Sequence, residues 1–137
     1  MTIAISIHAI EDRIYARSAL DAASRGADVP ATLDRRHRRA LAVLVTEVAA
    51  GIIAGLGPVV TATNVAEVSY DSDIITIDCA VDHSDWRVSQ LRTNIETALV
   101  CGTLARATEG TNTVLSEWYR RLAATASLSL PARIRRG

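Results

Sequence analysis

The sequence predicts an α+β protein, mostly helical, with four helices, a short N-terminal strand and a central β-hairpin. Three observations lead there. Residues 2–7, TIAISI, alternate strictly, so Ile3, Ile5 and Ile7 share a face as in a half-buried strand. Residues 64–81, NVAEVSYDSDIITIDCAV, alternate on both sides of a polar DSD, which reads as a hairpin. The remaining apolar residues recur at helical spacing between turn signals. At 137 residues with zero net charge, the whole chain, 1–137, is expected to be one domain with its own core.

The first helix is expected from about His8 to Ser24, on a stripe begun by Ile7, Ile10 and Ile14, and RGADVP breaks it. A second helix starts near Thr32, a suitable N-cap, with Asp34 in its first turn, and runs to Leu56 before Gly57 and Pro58. The hairpin strands fall at about 64–70 and 74–81. Ser84 and Asp85 open a third helix, with Val88, Leu91, Ile95, Ala98 and Leu99 on one face and Gly110 beyond its end. Asn112 or Thr113 caps a fourth, carrying Leu115, Trp118, Tyr119 and Leu122, and Pro131 is expected to stop it before a basic tail, ARIRRG.

All fifteen basic residues are arginine, which forms fixed bidentate pairs with carboxylates better than lysine does. Four of them, Arg35, Arg36, Arg38 and Arg39, lie within five positions and span an arc of roughly 160° on a helix. This arc is read as an outward face. Its counter-charges could be local carboxylates (Asp12, Asp21, Asp28 or Asp34), carboxylates of a neighbouring subunit, or phosphate. Zero net charge argues against nucleic acid as the main partner.

From Ala40 to Leu56 the second helix is polar only at Thr46 and Glu47. A membrane span needs about 20 apolar residues, and Glu47 sits mid-run, so no membrane is expected. Two readings remain: a helix buried wholly within its own domain, or one sandwiched between that domain and a partner subunit. The second places Ala42, Val43, Ala50 and Ile53 on the partner side.

No catalytic or cofactor motif is present, and neither enzyme activity nor a cofactor is expected. The candidate metal site is DCAVDHSD, where Asp78, Asp82, His83 and Asp85 cluster. Asp82, Ser84 and Asp85 are also ordinary helix caps, so no metal is expected. Cys79 and Cys101 read as buried thiols. Trp118 and Tyr119 read as core and interface residues, with stacking on a ligand as the alternative. The opening, MTIAISIHAIEDR, lacks the basic start of a signal peptide.

The order of elements resembles that of small virion proteins encoded among the head and tail genes of tailed phages and prophages, including those of gut Bacteroidetes. The likeness is carried by AISIHAIEDRIYARSALDAASRG, by ITIDCAVDHSDWRVSQLRTNIETALVCGTLARAT, and by the aromatic pair in VLSEWYRRLA with its basic end. Those proteins often continue with a further helical stretch and are rich in Lys and Phe, both absent here. The resemblance implies a non-enzymatic subunit of a ring or stacked oligomer at a head–tail joint or tail end. It would be assembled in the bacterial cytoplasm, reside in the virion, and have copies of itself and other virion proteins as partners. Arg35, Arg36, Arg38, Arg39, Ile53, Trp118 and Tyr119 are the interface candidates. The alternative is a small intracellular oligomeric binding module using the hairpin or the Trp118/Tyr119 face. An enzyme built on Asp82, His83 and Asp85 is a third class.

Overall fold

A computed structural model describes residues 2–25, 38–57, 60–68, 74–79, 85–110 and 113–136. In chain order the elements are β1 (Thr2–Ser6), α1 (Ile7–Arg25), α2 (Arg38–Leu56), β2 (Val60–Thr63), β3 (Ile74–Cys79), α3 (Asp85–Thr108) and α4 (Thr113–Arg136). This is the predicted α+β class, with four helices and an antiparallel three-stranded sheet.

β3 is the middle strand, between β1 and β2. Ile3 pairs with Ile77 and Ile5 with Ile75, so the face that β1 and β3 share is isoleucine and buried. The opposite face carries Thr2, whose hydroxyl donates to Asp78 at 2.6 Å. α1 follows β1 without a loop. Ser6 makes the change, its side-chain oxygen accepting the Ala9 N–H at 3.2 Å as an N-cap does.

The first hairpin strand lies earlier than the alternation predicts. It ends at Thr63, and residues 65–67 form a turn in which the Glu67 N–H reaches the Asn64 carbonyl at 2.8 Å. Asn64 explains the difference. Its side-chain amide donates to the Ile74 carbonyl at 3.0 Å and accepts the Thr76 N–H at 2.8 Å. The side chain thus takes the place of a ladder residue on β3, and the backbone turns away. Val65 swings into the core. The DSD segment lies outside the described residues.

α2 ends at Leu56, and Gly57 follows with a φ of 64°, the left-handed geometry glycine adopts beyond a helix end. Its proposed start, Thr32 and Asp34, lies outside the described residues. α3 and α4 form an antiparallel helical hairpin joined through Glu109 and Gly110. Ser116 fastens it, its hydroxyl donating to the Ala105 carbonyl at 2.7 Å in a buried position. α3 also packs against α1 and α2. At Gly102 the α2 side chain Val48 comes so near that an added Cβ would lie 2.9 Å from its Cγ1.

α4 does not stop at Pro131 but continues to Arg136. A proline removes its own N–H bond and crowds the carbonyl one turn back, while the bonds on either side of that gap survive, so the helix passes through.

Candidate functional site

Arg38 ties the arginine cluster to α1. On α1, Ile7, Ile10, Glu11, Ile14 and Ser18 lie within about 100° at 100° per residue, and all are buried. Glu11 therefore puts a carboxylate on the inward stripe, at 1% exposure. On α2, Arg38 lies one turn before Leu41, in register with the stripe of Leu41, Val45 and Ala49, and reaches α1 from an exposed position. Its Nε sits 3.3 Å from Glu11 Oε2, and its Nη2 is 3.0 Å from Nδ1 of His8. Burial pushes the Glu11 carboxyl above the ordinary glutamate value, against the opposing pull of His8 and Arg38.

Arg38 stays 45% exposed, as an outward residue would, but its guanidinium turns to Glu11 and His8 of α1. Glu11 is a counter-charge of Arg38 that the aspartates considered did not include; Asp28 and Asp34 lie outside the described residues. Arg39 is exposed, and Arg35, Arg36 and His37 lie outside the described residues.

Ile53 is corrected. It is 8% exposed and belongs to the core with Leu41, Val45 and Leu56; Ala42 is buried beside it. Both lie on the flank of the buried arc of α2. The outward arc is Val43, Glu47, Ala50 and Ala54, within about 60° of one another and all exposed. Val43 is 58% exposed. Glu47, the charge on this arc, meets Arg106 of α3 at 3.1 Å. At 19 residues α2 is long and apolar enough to cross a membrane by length and composition, so length does not separate it from a span. Its inward stripe forms part of the chain's own core.

The aromatic pair divides. Tyr119 is completely buried, and its hydroxyl has no hydrogen-bond partner among the described residues. Trp118 is 45% exposed. Arg17 of α1 lies over both rings, 5.3 Å from the Trp118 centroid and 5.8 Å from that of Tyr119. Leu20, one turn on from Arg17, and Val114, one turn before Trp118, are both well exposed. Trp118 thus belongs to a surface that joins α1 to α4, and Tyr119 supports it from below.

Among the described residues no three His, Cys, Asp or Glu side chains converge as metal ligands. Asp82, His83 and Ser84 lie outside those residues, and Asp78 accepts the Thr2 hydroxyl. Cys79 and Cys101 are free and buried, and burial raises both thiols above the ordinary cysteine value. Inert thiols are the expected consequence.

Glu11 was the residue that sequence reasoning passed over. The signal was a carboxylate in register with Ile7, Ile10 and Ile14. What the surfaces offer is contact area: an apolar arc on α2, and a tryptophan with an arginine across its face. No family model, curated protein or solved structure matches the chain.

Proposed function

We propose that this chain is a structural subunit of a tailed-phage virion, a ring-forming head–tail joining or tail-end protein that acts through protein–protein contacts without catalysis. The observation that carries the assembly part is the outward arc of α2. The helix that builds the core on one side presents Val43, Ala50 and Ala54 to solvent on the other. A helix with a single wet face carries polar residues there. A second copy packed on this arc removes it from water, and Glu47, paired with Arg106 of α3, lies on the same arc. The virion part rests on the resemblance in element order.

The test is native mass by light scattering, with Val43→Asp and Ala50→Asp as variants. Both positions are exposed, so the variants keep the fold while lowering the mass to that of a monomer. A wild type that stays monomeric at high concentration and in the presence of the virion's other joining proteins overturns the reading. Detection of the chain in purified particles tests the location.

A second reading is favoured by Arg17 over Trp118. A binding module would use this surface, with Leu20 and Val114 beside it, for a protein partner. In that case Trp118→Ala abolishes partner binding and leaves the native mass unchanged.

A further inference from the structure

Arg17 is a half-buried cation held by rings instead of by an anion. Its guanidinium carbon lies over Trp118 and Tyr119 of α4. An arginine carries five N–H donors in a planar fork that matches a carboxylate. Among the described residues none of the five reaches an acceptor, Asp21 one turn along the same helix included. The neighbouring arginines differ in this respect: Arg13 pairs with Glu96 at 3.1 Å and Arg120 with Glu109 at 3.7 Å.

The surface around Arg17 has a direction. Arg92 of α3 donates to the Ala4 carbonyl, just before α1, and Glu96, one turn on, meets Arg13, so α1 and α3 run parallel. α4 returns along α3 in the opposite sense, fastened by Ser116 at Ala105. Leu20 of α1 and Val114 of α4 therefore lie toward the same end of the surface, at 66% and 81% exposure. Trp118 stands in the middle under Arg17. Arg121, exposed one turn further along α4, lies toward the other end. Glu117 sits about 100° around the helix from Trp118, on the side away from α1. One end of the strip is thus apolar and the rest is cationic.

We propose that this strip docks an acidic segment of a partner protein, with a side-chain carboxylate on the Arg17 fork and an apolar side chain, one or two residues away, on Leu20 and Val114. Any partner that covers Leu20, Val114 and Trp118 also takes Arg17 out of water. A buried cation without a counter-charge is costly, so the partner that fits brings an anion. Leu20 lies three residues from Arg17, about 4.5 Å of helix rise. An extended chain covers that in one or two residues at about 3.3 Å each. A nucleic-acid backbone fits less well: it repeats its phosphates and is held by several cations, whereas this chain has zero net charge and apolar side chains beside the fork. The proposal rests on the reading of the Trp118 surface as a partner site and is independent of the α2 arc.

The experiment is NMR titration of the nitrogen-labelled full chain at about pH 7, where free glutamate is ionised. The probes are the capped peptide Leu-Glu-Leu-Glu and its counterpart with glutamine for both glutamates. The glutamate peptide is expected to shift the Arg17 Nε–H and the Trp118 indole N–H, and to bind about tenfold more tightly than the glutamine peptide. Arg17→Gln removes that difference. Leu20→Asp, at an exposed position, weakens the glutamate peptide by setting a like charge beside the carboxylate. Equal binding of the two peptides at Trp118 overturns the carboxylate inference and leaves the surface a partner site. A tenfold preference that survives Arg17→Gln overturns it too. A short oligothymidylate that binds through Arg17 more tightly than the glutamate peptide assigns the fork to phosphate and overturns it. Binding of neither peptide at millimolar concentration overturns both the inference and the partner reading beneath it.

Discussion

Replacing Gly102 with alanine sets two effects of opposite sign against each other. Alanine is the better helix former by about 1 kcal/mol, and Gly102 lies well inside α3. On that ground alone the variant is more stable. The added Cβ, however, would sit 2.9 Å from Cγ1 of Val48. Val48 is β-branched and on a helix, so χ1 has essentially one rotamer and the methyl cannot swing aside. The helices must separate instead, and overpacking of this kind costs about 1–3 kcal/mol. The sum is a net loss of about 1 kcal/mol. Val48→Ala removes the obstructing methyls from a half-buried position at a cost of about 1 kcal/mol. In the double variant the clash is gone, the helical gain is kept, and the new methyl occupies the vacated space. It is therefore about as stable as the wild type, with a coupling of about 2 kcal/mol between sites. Urea unfolding of the four proteins measures this. Gly102→Ala more stable than wild type by about 1 kcal/mol, or losses that simply add, would falsify the close approach of α2 to α3.

Ile53→Asp places an unpaired charge in the core and should unfold the monomer, costing about 4 kcal/mol or more; circular dichroism shows loss of helix, whereas a folded variant with altered mass restores Ile53 to the surface. Ser116→Ala removes the buried hydrogen bond between α4 and α3 and should lower stability by about 1–3 kcal/mol in urea, because the Ala105 carbonyl keeps its α-helical geometry but loses this donor. Glu11 is raised above its ordinary value of 4.5, so its favourable contribution is fully present below that pH and is lost as pH rises through the folded value. In a His8→Ala background, the chain with Glu11 should therefore gain stability relative to Glu11→Gln on acidification from neutral pH toward 4.5; a difference that is flat or moves the other way contradicts the burial of the carboxylate.

The elements that sequence made legible are those in which one periodicity acts alone. TIAIS and IITIDC alternate because one side of the strands is buried, and both became strands, while Ile7, read as the end of the first, opens α1. Gly57 ended α2 as its backbone freedom allows. The first hairpin strand was misplaced because alternation at Ala66 and Val68 was weighed without Asn64, whose amide competes for the same groups on β3. Ile53 was misplaced because a helix apolar on nearly all sides gives periodicity little contrast; Ala50 and Ala54 differ from Ile53 in bulk more than in polarity. Arg38 and Glu11 could each have been found, since each falls on the stripe of its own helix, but their pairing is a tertiary fact. The Trp118 surface was half legible: the helical spacing was visible, while Arg17 reaches it from another helix.

The place of β3 between β1 and β2 has a consequence for synthesis. The first strand to leave the ribosome pairs with one whose residues begin at Ile74, so the sheet cannot close until more than half the chain has been made. Contacts this distant in sequence form slowly, since loop closure precedes any reward. Meanwhile α2, apolar on its stripe and on most of its arc, has already emerged with only α1 to pack against it. Truncations before Cys79 should therefore expose apolar surface and accumulate as aggregates.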